Sequence, residues 1–186
     1  MTEKITTTSI KSSKSKSIGK SKKEENIYSE AIISKSISIS FINLGSDLKK
    51  TFTEILKKQI DGKCIEEGYV KTNSLKVLSY SSGELNGSNV DFNIIFECLI
   101  CFPVEGMYIN CIAKNITKAG IKAEIETLNE SEKSPLIIFL ARDHNYLTKK
   151  FSNVAVNDKI KIRVIGQRFE LNDEYISVLG ELVNSI

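Results

Sequence analysis

The side chains with the most obvious chemistry are four cysteines, at positions 64, 98, 101 and 111. Cys98 and Cys101 have the Cys-x-x-Cys spacing used by zinc sites and redox dithiols. The pair lies inside 92–102, an almost unbroken apolar run that reads as a strand. Residues three apart on a strand point to opposite faces, and the chain has no second Cys-x-x-Cys. The expectation is four free, mostly buried thiols and no metal. His144 is the only histidine. With no serine–acid constellation near it, it reads as a surface residue rather than a general base. There is no glycine loop of the kind that cradles phosphates and no paired carboxylates in a recognisable setting. An independent enzyme, or one with a cofactor, is not expected.

A second set of residues could contact nucleic acid. Lys114, Lys118 and Lys122 recur every fourth residue and could form a phosphate-contacting edge. Glu124 and Glu126 dilute that edge, so an ordinary solvated face is an equal reading. Phe139 is either a platform for a base or a core residue. Ile138 and Leu140 already claim the opposite parity of its strand, and Arg142 follows close behind.

These residues need elements to position them. The stretch 102–125 contains two strand-like runs, Met107–Ala113 and Ile121–Ile125, each led by a glycine. Gly120 falls where the chain must turn or approach another backbone. A Pro-x-x-Gly entry, a strand, a glycine turn and a second strand is how the first hairpin of an S1-type OB barrel reads. Further strands are expected at Pro135–Ala141, Lys159–Gly166 and Glu174–Leu182. A polar loop covers 128–134. A long irregular connection, holding a short helical turn, covers 142–157. Ile160, Ile162 and Val164 alternate with Lys159, Lys161 and Arg163 as inside and outside, and Asn172-Asp173 signals a hairpin.

The first half reads as a small sheet with one helix. Ala31–Phe41 alternates isoleucine with serine, the pattern of a half-buried strand. Ser46 or Asp47 caps a helix ending near Ile60, with Leu48, Phe52, Ile55, Leu56 and Gln59 on its inner face. A strand over 63–71 carries Gly68 as a bulge. Leu75–Tyr80 is a strand, 81–89 a loop, and Val90–Phe102 a long buried strand running into the barrel. The fold class is α+β, mostly β: a tail over 1–29, an RNP-like domain over 30–102, and a five-stranded S1/OB barrel over 103–186.

Composition bounds what this architecture can bind. The chain has 186 residues, 41% of them hydrophobic, enough for one sizeable domain or two small ones. No apolar run approaches the ~18–20 residues needed to span a bilayer, so no membrane is expected. Residues 1–29 hold seven lysines against three glutamates. The whole chain is only +3, so residues 30–186 carry a net charge of −1. The tail is expected to be disordered, as a solvated extension, a basic arm or a nuclear-import signal. A near-neutral body implies weak or local nucleic-acid contact.

With both halves placed, the chain resembles the Rpb7-type stalk subunit of multi-subunit DNA-directed RNA polymerases, a family with an archaeal counterpart. The resemblance runs from about Ile32 to the last residue. It rests on a helix leading into Ile60-Asp61-Gly62-Lys63-Cys64, then Glu67-Gly68-Tyr69-Val70-Lys71. The crossing Phe92–Gly106 and the closing strand Ile176–Val183 complete it. The family commonly has a further glycine where Asn110 stands. RNA-binding S1 barrels commonly carry aromatics where Ala119 and Lys122 stand, and often a histidine at the Phe139 position.

The resemblance implies a non-catalytic subunit that forms a stalk near the RNA exit path. Its first domain would dock on the polymerase core and its S1 domain would face emerging RNA, in support of initiation. Other polymerase subunits, including a small Rpb4-like partner, and nascent single-stranded RNA are the implied partners. The candidates for RNA contact are the residues singled out above, Lys114, Lys118, Lys122, Phe139 and Arg142. The segments Asp61–Gly68 and Ser81–Asn89, with Asp61, Gly62, Gly68, Gly83 and Gly87, are the docking candidates. A free-standing S1-type RNA-binding factor and an adaptor that kept only the fold remain open. Abundant Ile, Lys, Asn and Ser with only two prolines suggests an AT-rich genome. That suits a large DNA virus or a fast-evolving eukaryote, and so a viral factory, a virion or a nucleus.

Overall fold

The computed structural model describes residues 27–45, 47–126, 133–145 and 149–183. Most of the lysine-rich tail, Ser46 and most of the 128–134 loop lie outside them.

The first domain is a sheet built on one strand. Strand β1 (Tyr28–Ser40) is followed by a single 3-10 turn, Phe41–Asn43. Helix α1 (Leu48–Ile60) begins at Asp47, whose carboxylate accepts from the Lys50 N–H at 3.1 Å. Phe52, Leu56 and Ile60 are its buried residues, each worth about 2 kcal/mol of apolar burial. The stripe steps by four, so it ends on Ile60 and leaves Gln59, expected inside, exposed.

Residues 63–71 are not one bulged strand. They form a tight hairpin, β2 (Cys64–Ile65) and β3 (Gly68–Val70). Gly68 has a φ of 129°, and a Cβ there would stand 2.6 Å from the Cys101 carbonyl oxygen. Close approach, not a bulge, explains this glycine. The register shift of this region falls instead in β4 (Lys76–Tyr80), between Val77 and Ser79. The segment expected as a loop over 81–89 contains a short strand, β5 (Glu84–Asn86).

Strand β6 (Asn89–Cys101) is the spine of the sheet. One edge pairs with β1 along its whole length, Tyr28 opposite Cys101 and Ser40 opposite Asn89. Its other edge is shared in turn by β5, β4 and β3. Val90, Phe92, Ile94, Phe96, Cys98 and Ile100 face α1, together with Ile37 and Ile39 of β1.

The second domain is a closed barrel. Its strands are β7 (Tyr108–Ile116), β8 (Gly120–Glu124), β9 (Leu136–Ala141), β10 (Lys159–Arg168) and β11 (Ile176–Leu182). They close in the order β10-β11-β9-β8-β7, with β11 parallel to β9 and every other pair antiparallel. This is the five-stranded OB arrangement. Ile109, Cys111, Ala113, Ile121, Ala123, Ile138, Ile162, Val164 and Val178 fill the inside. Two 3-10 turns, Arg142–His144 and Lys149–Asn153, occupy the β9–β10 connection. Between them Asn145, 2% exposed, donates to the Ala141 carbonyl at 2.8 Å and accepts from Leu182 N–H at 2.7 Å.

The domains share a core. Cys64 and Tyr69 from the β2–β3 hairpin, and Cys101 from the end of β6, are buried in the barrel's cluster. Cys98 is buried three residues earlier in the sheet–helix cluster. The two halves of the Cys-x-x-Cys therefore point to opposite faces and serve different cores, as strand geometry requires.

Candidate nucleic-acid interface

The lysines, Phe139 and Arg142 come together at one end of the barrel. Strand β7 reaches β8 through a turn closed on Thr117, whose N–H donates to the Gly120 carbonyl at 2.8 Å. The Thr117 hydroxyl donates to the same carbonyl and accepts from Gly120 N–H. Lys118 and Ala119 form the exposed tip. Arg142 N–H donates to the Ala119 carbonyl at 3.0 Å, bringing the end of β9 to this turn. Lys114 projects at the register shift between Ala113 and Asn115.

Lys122 and Phe139 are direct cross-strand partners on the outer face of β8 and β9. Phe139 is an outward residue, 39% exposed, while Ile138 and Leu140 fill the core. Its ring lies over Gly120: a Cβ on that glycine would stand 3.0 Å from Phe139 Cζ and would collide with the Leu140 carbonyl oxygen. The missing side chain lets the aromatic ring settle against the barrel wall. One exposed face of such a ring can hold a base, worth ~1–3 kcal/mol.

The electrostatics are mixed. Lys122 Nζ is 3.3 Å from Glu124, and Lys159 pairs with Glu126 at 2.7 Å. Arg142 lies over the Phe151 ring at 5.9 Å. Lys114 and Lys118 are exposed at the turn end. The site offers one aromatic and several cations, one of them already committed to a carboxylate.

The docking candidates separate into two places. Asp61 caps the end of α1 and its carboxylate accepts from Asn73 N–H at 2.9 Å. Gly62 has a φ of 69° with Thr72 packed against it, and Gly68 is buried against Cys101. These three shape the hairpin that meets the barrel. Gly83 and Gly87 flank β5 at the far tip of the sheet. A side chain on Gly83 would strike Val90 and Phe92, whereas Gly87 faces open space with a φ of 62°.

At that tip, Leu85 falls within the 81–89 docking candidate, while Phe41 and Ile42 lie outside both candidate segments. Phe41 is 66% exposed, Ile42 92% and Leu85 78%. Phe41 N–H donates to the Ser88 carbonyl at 3.0 Å, tying the 3-10 turn to the β5–β6 hairpin. Phe41 has the parity of the inward isoleucines of β1, so alternation counts it inside. The 3-10 turn begins at this residue and rotates it outward. The only sequence signal is Asn43 and Gly45 just beyond it.

The thiols are not reactive groups. Burial pushes Cys64 and Cys98 up to about 11, and Cys101 and Cys111 up to about 12. Asp173 adds to the effect at Cys64, Glu67 and Glu97 at Cys98, and Cys64 at Cys101. At neutral pH such thiols are protonated and poor nucleophiles. Among the described residues no three of His, Cys, Asp and Glu gather to hold a metal ion. His144 is exposed on its 3-10 turn.

No family model matches the chain. It is 23% identical over 178 residues to a protein of Acanthamoeba polyphaga mimivirus named "Putative DNA-directed RNA polymerase subunit". The match covers 87% of this chain and 84% of the viral one. Among solved structures, an uncharacterized protein of Methanocaldococcus jannaschii matches at 19% identity and a TM-score of 0.31, covering 41% of this chain and 90% of its own.

Proposed function

We propose that this chain is a non-catalytic subunit of a multi-subunit DNA-directed RNA polymerase, of the Rpb7 type. It forms a stalk near the RNA exit path and supports initiation. The observation that supports the polymerase-subunit part of this reading is the similarity, over 178 residues, to the mimivirus protein named "Putative DNA-directed RNA polymerase subunit". The Rpb7 type rests on the resemblance of 60–71, 92–106 and 176–183. A match of that length includes most of both the sheet domain and the barrel. The sheet domain docks on the core through its tip, where Phe41, Ile42 and Leu85 expose apolar surface that no described residue covers. The barrel meets nascent single-stranded RNA through Phe139, Lys122, Lys114, Lys118 and Arg142. A small Rpb4-like subunit is the expected companion. Likeness to a viral protein favours a cytoplasmic viral factory or virion as the place of action.

The test is purification of the tagged full chain at moderate salt, with identification of the co-purifying chains. Large polymerase subunits in near-equal amounts are the expected result. RNA recovered without polymerase would replace this reading with a free-standing RNA-binding factor. Recovery of neither would leave an adaptor.

A further inference from the structure

We infer a second single-stranded RNA contact on the barrel, made by Tyr108, Lys161 and Arg163 on the outer face of β7 and β10. It rests on the reading that the barrel meets RNA.

Ile109 on β7, and Ile162 and Val164 on β10, point into the core. Alternation therefore sends Tyr108, Lys161 and Arg163 outward together. Arg163 is the direct cross-strand partner of Tyr108, and Lys161 Nζ lies 5.4 Å from the centre of its ring. Tyr108 is 53% exposed, more than Phe139. An exposed aromatic between two cations is the combination that holds a base by stacking and its flanking phosphates by charge. Lys161 and Arg163 are two residues apart on a strand, ~6.6 Å along its axis. That is of the order of the distance between successive phosphates in an extended strand.

The cations here are less committed than at the Phe139 end. The ion pairs among the described residues use Lys76, Lys122, Lys133, Lys159 and Arg168. Neither Lys161 nor Arg163 is among them. Glu181 of β11, on the other side of Arg163, is the acidic residue that faces it across a strand pair. The two aromatic stations lie toward opposite ends of β7. Tyr108 opens that strand and Lys114 lies six positions on, beside the Lys122–Phe139 pair, which is ~20 Å of strand. The row between them is the neutralised one: Glu126 holds Lys159 there, and Glu124 of that row reaches Lys122 at the second station. One RNA strand long enough to pass over that row reaches both stations.

The experiment measures binding of a labelled ten-nucleotide oligouridylate to the full chain by fluorescence anisotropy, across a range of salt. Tyr108→Ala is expected to weaken binding about 5-fold or more. Lys161→Gln with Arg163→Gln is expected to flatten the slope of log K against log salt by about 1.4. All three side chains are on the surface, so the fold should survive, and the circular dichroism of each variant checks this. If Phe139→Ala weakens binding while the Tyr108, Lys161 and Arg163 variants match the parent, the second contact is wrong and the RNA-facing barrel stands. If the parent chain does not bind the oligonucleotide, both are wrong.

Discussion

The backbone N–H of Cys64 donates to the carbonyl of Asp173 at 2.8 Å, and the Asn172 N–H returns a bond of 2.9 Å to the Cys64 carbonyl. The turn between β10 and β11 is thereby paired to the outermost strand of the sheet. Cys64, Tyr69 and Cys101 fill the space beneath. Two domains joined by backbone bonds and a common buried cluster should melt as one. A single thermal transition is expected for the full chain. Tyr69→Ala should cost about 3 kcal/mol or more and lower the stability of sheet and barrel together. Two resolved transitions in the parent chain would refute the coupling.

Gly120 and Phe139 give a contrasting pair of variants. Gly120→Ala forces a methyl group against the Leu140 carbonyl and the Phe139 ring, so it should destabilise by about 1–3 kcal/mol in urea unfolding. Phe139→Ala removes a half-exposed ring and should cost less than that. Its larger effect should be on ultraviolet crosslinking of the barrel to RNA. Equal stability losses from both changes would mean that Phe139 is a core residue in practice.

Asn145 is the seal of the barrel's long connection. Asn145→Ala strips the partner from the Leu182 N–H and from the Ala141 carbonyl. A buried donor left unmatched costs about 1–3 kcal/mol. Chemical denaturation should show that loss, and hydrogen exchange at Leu182 should accelerate. Unchanged protection at Leu182 would show that another acceptor replaces the amide.

The cysteines set an alkaline limit. Their thiols are raised by burial from 9.0 to about 11 or about 12. Between those values the unfolded chain has released protons that the folded chain still holds. Folding stability from this source is therefore complete below pH 9 and falls as pH rises through the folded values. Melting temperature should decline above pH 9, and Cys111→Ala should reduce the decline relative to its own value at pH 7. A thiol-specific reagent at pH 7.5 should label the native protein slowly and the urea-unfolded protein at once. Rapid native labelling of all four cysteines would contradict their burial.

Ile42 and Leu85 test the proposed docking surface without touching the core. Both are far more exposed than buried, so Ile42→Asp and Leu85→Asp should leave stability within about 0.5 kcal/mol. Together they should abolish recovery of polymerase subunits in the tagged purification. Undiminished recovery would move the docking surface elsewhere on the sheet domain.

Much of the fold is legible in the sequence, because burial imposes period. Isoleucine and serine alternate in β1, and Ile160, Ile162 and Val164 alternate with basic residues in β10. Both strands follow from that alone. The barrel's first hairpin follows from Gly120 and its flanking β-branched runs. What the sequence hides is set by distant partners. Gly68 looks like a bulge because the carbonyl that crowds it belongs to Cys101, across the sheet. Strand β5 is all exposed and has no apolar rhythm to announce it. Tyr108 reads as one more residue after an entry glycine. Its setting beside Lys161 and Arg163 exists only once β7 and β10 close the barrel.

Strand β6 also dictates a schedule. Strand β1 is made early, yet every ladder bond it forms is with β6, which follows only after the helix, the hairpin and two more strands. On the ribosome, thirteen residues of strand must wait with both edges unsatisfied until Cys101 has been synthesised. The serines at 34, 36, 38 and 40 give the waiting segment one face that water accepts.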